Sequence, residues 1–140
     1  MTLPPGSGQI VLASKSASRR TMLGAAGVAF EVRPAAIDER ALEARLSDAG
    51  PGTVALALGG RIEWSHVARA ALQVRELSDA FIEAYLAAEW PEVSQCVGVF
   101  RIEALGPQLF ESIEGDMFTV LGMPLLPVLG ALRELGKLPA

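Results

Sequence analysis

From Arg61 to Arg75 the chain alternates with a period of two. Ile62, Trp64, His66, Ala68, Ala70, Leu72 and Val74 occupy one parity, while Arg61, Glu63, Ser65, Arg69, Gln73 and Arg75 dominate the other. Successive side chains of a strand point to opposite faces, so this pattern predicts one long half-buried strand. Such a strand needs a partner strand and a layer over its apolar face, and helical patterns on either side of it supply that layer.

Upstream, Ile10, Val11 and Leu12 form a short apolar run of the kind used for a strand buried on both faces, and Ser14 to Ser18 then supply cap chemistry for a helix over about 18–26, with Gly27 placed to stop it. "FEVRPA" reads as a second short strand. Asp38 and Glu39 open a helix through Leu46, with Leu42, Arg45 and Leu46 on one side, and "SDAGPGT" breaks it. Downstream, Ser78 caps a helix with Phe81, Ile82, Tyr85 and Leu86 on one face, and Pro91 ends it. The run from Cys96 to Gly122 predicts two or three strands joined by tight turns. In the last helix Leu125, Val128, Leu129, Leu132 and Leu135 form a stripe, and Gly136 is the stop. The order βαβα, β, α, ββ, α implies an α/β domain with a mixed sheet. Residues 1–8 are Pro/Gly-rich and expected as a loose tail, with 9–140 forming one domain in two blocks, 9–59 and 60–140.

Composition narrows the function classes. With 140 residues, 51% of them hydrophobic, the chain can bury one sizeable core. A net charge of −4 argues against duplex nucleic acid and anionic membrane as partners, since both need a basic face. The longest apolar runs are broken well short of a bilayer span. A single cysteine, with no basic segment leading into an apolar core at the N-terminus, points to a reducing, cytoplasmic setting.

A small anion needs only a local cluster, and "LASKSASRR" offers one. Where a strand ends in a Ser-rich turn that opens a helix, unpaired backbone N–H groups and the positive end of the helix dipole converge. The hydroxyls of Ser14 and Ser16 add donors, and Arg19 can bind phosphate oxygens bidentately. The competing account is an ordinary N-cap.

The stretch "IVLASKSASRRTMLGAAGVAFEVRPAAIDE" resembles the opening of the Maf family of nucleoside triphosphate pyrophosphatases: a strand, a Ser-x-Ser-x-x-Arg turn, a helix ending before a Gly, a strand and an acidic pair. A second block, from "ELSDAF" to "LRELG" with its "EGD…VLGMPL" turn, resembles the C-terminal portion of that family. The spacing Ser14-x-Ser16-x-x-Arg19-Arg20, with Glu103 before "ALG" and "QLFE" after it, looks more like the 7-methyl-GTP branch than the branch acting on dTTP and UTP.

The resemblance implies a Maf/inosine-triphosphatase-like mixed sheet flanked by helices, and hydrolysis between the α- and β-phosphates of a nucleoside triphosphate. By that analogy Ser14, Ser16 and Arg19 grip the triphosphate, Arg20 helps, Glu103 reads the base, and Glu39 lies near a divalent cation, magnesium. Glu39 is equally an acid favoured in the first turn of a helix. The pattern also departs from the family. Between the two blocks, members carry a Lys late in the second long helix, a strand ending in Gly-x-Asp whose Asp is the base, a Lys-Pro turn, and a further helix and strand. Here "TVALALG" passes straight to "GRIEWSHV", so a central strand-helix portion of several dozen residues is missing and the expected base is absent. Two further outcomes follow: a remnant that binds nucleotide phosphates without turnover, and an exposed sheet edge that is either removed by a different closure of the sheet or covered by a partner chain in a homodimer.

Other residues favour structural roles. His66, on the apolar parity, is expected to be buried, hydrogen-bonded or at an edge rather than a ligand. Cys96 lacks companions for a metal, and Trp64 and Trp90 are expected to pack rather than stack on a base. The run "GDMFTVLGMP" is either a substrate-adjacent turn or a plain Gly-rich entry to a helix.

Overall fold

A computed structural model describes residues 8–33, 53–96 and 98–140. The expected helix from Asp38 to Leu46, and with it Glu39, lies outside the described residues. The chain divides into two compact units, residues 1–69 with 116–140, and residues 70–115.

The first unit opens with β1 (Ile10–Leu12), α1 (Ala17–Ala25) and β2 (Phe30–Val32). The two strands pair in parallel, Ile10 opposite Phe30 and Leu12 opposite Val32, which is the pairing a helical crossover permits. Ser16 adopts extended backbone as the N-cap of α1, and Gly27, with φ of 75°, follows its end as the sequence predicts. Val11 is exposed rather than buried on both faces. Only β2 pairs with β1 among the described residues, so the other edge of this strand has no described partner strand.

Next come β3 (Thr53–Leu58) and β4 (Arg61–Val67), an antiparallel hairpin in which Leu58 pairs with Arg61 across Gly59-Gly60. Both glycines have positive φ, 58° and 79°, as the tightest two-residue hairpin turn requires. The unit closes with α3 (Met117–Val120) and α4 (Leu125–Glu134); α2 belongs to the other unit. Pro127 falls in the first turn of α4, where its missing N–H costs nothing. The buried face of α4 is Leu125, Val128, Ala131 and Leu132. It packs with Met22 and Leu23 of α1, Val28 and Met123, and Phe30, Leu56 and Trp64 lie against that cluster.

The second unit contains β5 (Ala71–Val74), α2 (Asp79–Glu89), two short 3₁₀ turns (Glu92–Gln95 and Gly106–Leu109) and β6 (Phe110–Glu114), which pairs antiparallel with β5. Its buried side chains include Tyr85, Val93 and Ile102. Phe100 meets Phe110 edge to face at 4.9 Å, and the Arg75 guanidinium lies 4.3 Å over the Phe81 ring. Glu89 is buried and accepts from both Nε (3.1 Å) and Nη2 (3.0 Å) of Arg101.

Several expectations change. The long strand from Arg61 to Arg75 is two strands, because β4 pairs with β3 while β5 pairs with β6, and the chain changes partner across 68–70. The alternation of exposure nevertheless continues through that break. In place of one mixed sheet, the described strands form three two-stranded ladders, one parallel and two antiparallel. Among the described residues, the run from Cys96 to Gly122 yields one strand, β6, rather than two or three. On α2, Tyr85 is buried and Phe81 half-buried, but Ile82 and Leu86 are exposed. Trp64 packs on the core as expected, with the half-buried His66 ring stacked on it at 5.8 Å. Trp90 does not pack: it is 58% exposed.

Candidate functional site

The turn between β1 and α1 gathers the residues singled out in the sequence. Chain direction does the first part of the work, since a strand that ends beneath a helix start delivers its turn to the carboxyl end of the sheet, where open α/β folds hold ligands. Ser14 is almost fully buried there, 8% exposed. Its Oγ accepts from the backbone N–H of Ser16 at 3.2 Å and from Nη1 of Arg19 at 3.0 Å. Ser16 Oγ accepts from the backbone N–H of Arg19 at 3.3 Å, which is the capping bond that its position predicts.

A further anchor comes from the far end of the sequence. Arg19 Nε donates to the carbonyl oxygen of Gly122 at 2.9 Å, across 103 residues. Gly122 sits at φ of 113°, in the turn that follows α3, so its backbone adopts a conformation open to glycine. The run "GDMFTVLGMP" is therefore tied to the Ser-rich turn through Gly122. No signal local to either segment announces that contact. Only the paired occurrence of the two blocks in one chain hinted at it.

Several donors in this cluster remain unpaired. Among the described residues, the backbone N–H groups of Ala17 and Ser18 have no partner, nor do the two hydrogens of Arg19 Nη2. These are donors, at the positive end of a nine-residue helix, and the chemistry they fit is an anion with several oxygens.

The other candidates are placed differently. Arg20 is exposed and donates to the carbonyl of Lys15 at 3.5 Å. Glu103 belongs to the second unit, exposed in a turn rather than on a strand. Glu39 lies outside the described residues. Among the described acids of the first unit, Glu31 is paired with Arg33 and Glu63 with Arg61, which lowers both carboxyl pKa values through hydrogen bonding and charge. Asp116 caps α3, accepting from the N–H and the hydroxyl of Thr119 at 2.9 Å each. Its carboxylate is thus committed to the cap of α3.

The described residues do not make a dedicated metal cage. No three His, Cys, Asp or Glu side chains cluster among them. Cys96 instead donates to the carbonyl of Glu92 at 3.8 Å. No described helix is long and apolar enough to cross a membrane.

Residues 51–135 match the family described as Maf-like protein. The chain is similar to the 7-methyl-GTP pyrophosphatase of Rhizobium meliloti, at 37% identity across 94% of this chain and 98% of that protein. It is also similar to the nucleoside triphosphate pyrophosphatase of Gluconobacter oxydans, at 31% identity across 94% and 97%. The corresponding protein of Nitrobacter hamburgensis is 33% identical across 92% and 95%. The Rhizobium meliloti alignment runs over 195 positions against a chain of 140 residues, so it opens gaps in this chain. With a family match over more than half its length and relatives above 30% identity along nearly all of it, the chain belongs to the Maf-like protein family.

Proposed function

We propose that the chain is a nucleoside triphosphate pyrophosphatase that grips its substrate's phosphates with Ser14, Ser16 and Arg19. The observation that carries this is the Arg19 guanidinium, fixed from two sides at the start of α1 with two hydrogens of Nη2 still to donate. Relatives named as nucleoside triphosphate pyrophosphatases support the reaction. Water adds its oxygen to the α-phosphorus, the bond from that phosphorus to the bridging oxygen breaks, and pyrophosphate leaves with the nucleoside monophosphate as coproduct. The N–H groups of Ala17 and Ser18 and the Arg19 fork offset charge on the phosphoryl oxygens as it develops, a role such donors fill without reorganisation.

The substrate favoured within this reading is 7-methyl-GTP, supported by the name of the Rhizobium meliloti relative and by the "QLFE" neighbourhood of Glu103, which we assign to the base. Magnesium is proposed to arrive on the triphosphate, because this ion keeps most of its waters and binds largely through phosphates with one or two carboxylates. Glu39 is the carboxylate proposed for it, and Arg20 a secondary phosphate contact. A cytoplasmic location and a homodimer belong to the same proposal.

One observation favours a second reading. The alignment longer than the chain is what a missing central segment requires, and Gly59-Gly60 closes a hairpin at the seam between the two blocks. The segment expected to supply the base would then be gone, and losing a base lowers turnover by roughly 10²–10⁴. In that reading the chain binds nucleotide and does not turn it over. Incubation with a panel of nucleoside triphosphates and magnesium, with pyrophosphate and monophosphate quantified, separates the two. Equimolar release of both products is expected, and binding without release on every nucleotide replaces the enzyme with the remnant.

A further inference from the structure

Ser14 and Ser16 enter the family resemblance as equals of Arg19, three groups gripping phosphate. Their hydrogen bonds divide them. Two donors already occupy both lone pairs of the Ser14 oxygen, the Ser16 N–H at 3.2 Å and Arg19 Nη1 at 3.0 Å, so Ser14 has only its own O–H hydrogen left to give. The side chain is also almost fully buried. Arg19 has five N–H donors in a rigid plane, of which Nε is held by the Gly122 carbonyl and one Nη1 hydrogen by Ser14. Two bonds to a planar group, made at different nitrogens, fix both its position and its rotation. Three hydrogens are left for a ligand, both on Nη2 and the second on Nη1.

Accepting the phosphate grip by Arg19 proposed above, and revising the part of Ser14 in it, we infer that Ser14 is a positioning residue, which with the Gly122 carbonyl orients the Arg19 guanidinium so that its Nη2 side meets the phosphate. Ser14 acts on the ligand through Arg19. The entropy of ordering a long, flexible arginine is then spent on folding rather than on binding, which is how preorganisation raises affinity. The Gly122 carbonyl gives the C-terminal "VLGMP" turn a part in recognition without touching the ligand.

Groups that act through one another are non-additive, and independent contacts add. Binding of inorganic tripolyphosphate to the full chain, followed by calorimetry, reads the difference. Ser14→Ala is expected to weaken binding by roughly five- to tenfold alone and by less than about twofold in the Arg19→Ala background. Losses that multiply in the double variant overturn the inference while leaving the grip intact. Absence of binding to the unaltered chain overturns the grip itself, and the inference with it.

Arg19→Lys provides an arm that leaves Ser14 in place. A lysine ammonium keeps the charge but offers no planar fork to hold from two sides, so affinity should fall close to that of Arg19→Ala. Near-normal affinity in Arg19→Lys would mean that orientation is not what Ser14 supplies. A third readout is the Arg19 Nε–H resonance, assigned by its loss in Arg19→Lys. It is expected to be sharp in the ligand-free chain and broadened by Ser14→Ala, and an unchanged resonance contradicts the positioning role.

Discussion

Tyr85 is the only tyrosine of the chain, and its surroundings set up a clean titration. It is buried on α2 and donates its hydroxyl to the carbonyl of Val99 at 3.2 Å. Burial, followed by the nearby Glu89 carboxylate, raises its pKa above the ordinary phenol value. A raised pKa keeps the proton on the folded chain while the unfolded chain releases it, so stability falls as pH climbs past about 10. Ultraviolet titration of the phenolate should give a midpoint above that of free tyrosine, and an unshifted midpoint would place the ring in water. At the same scale, the capping role of Ser16 was legible because a cap is a local relation, three residues long. The bond from Arg19 to Gly122 was not, since nothing in either tripeptide encodes a partner 103 residues away. Glu89 was missed for the same reason: its charge is tolerable inside only because Arg101 reaches it.

Among the elements, helices were read more faithfully than strands. The boundaries of α1 fall within one residue of those expected, and the last helix carries the predicted stripe with Ala131 buried and Leu135 only half-buried. A helix satisfies its own hydrogen bonds, whereas a strand is defined by a partner that the sequence does not point to. That is why Arg61 to Arg75 reads as one strand, and why β3 went unnoticed in "TVALAL", where apolar residues give no alternation to count. Its cue was the adjacent Gly59-Gly60, a strong two-residue hairpin signal. Gly59→Ala and Gly60→Ala should each destabilise the chain by about 1–2 kcal/mol, the cost of left-handed backbone for a side chain, with Gly59→Asn nearly neutral. Urea unfolding measures this, and equal stability of all three variants would mean the hairpin turn is not formed. On α4, Leu132→Ala removes a side chain from the centre of the core of the first unit and should cost roughly 2–5 kcal/mol in the same experiment. A loss under about 1 kcal/mol would contradict that packing.

For the molecule as a whole, the division at residues 69/70 and 115/116 does not coincide with the 59/60 seam at which the two family-like blocks meet. The hairpin at that seam belongs wholly to the first unit, with both of its strands hydrogen-bonded to each other. A chain shortened there can therefore close its backbone locally, while the Ser14–Arg19 turn and the Gly122 turn come together independently of it. The hydrogen bonds that hold the Arg19 guanidinium lie wholly within this unit. What the described residues of the first unit do not contain is an uncommitted acid at a strand end, with Glu31, Glu63 and Asp116 each engaged elsewhere. Arg19→Ala should accordingly weaken nucleotide binding by about tenfold to a hundredfold, the worth of charge-assisted hydrogen bonds, and unchanged affinity would remove Arg19 from the site. The most direct test of the whole account is product analysis with 7-methyl-GTP and magnesium. Pyrophosphate and 7-methyl-GMP are expected in equal amounts, with Arg19→Ala needing about tenfold to a hundredfold more nucleotide to reach the same rate. Release of orthophosphate with the diphosphate, or no product from any nucleotide, would contradict it.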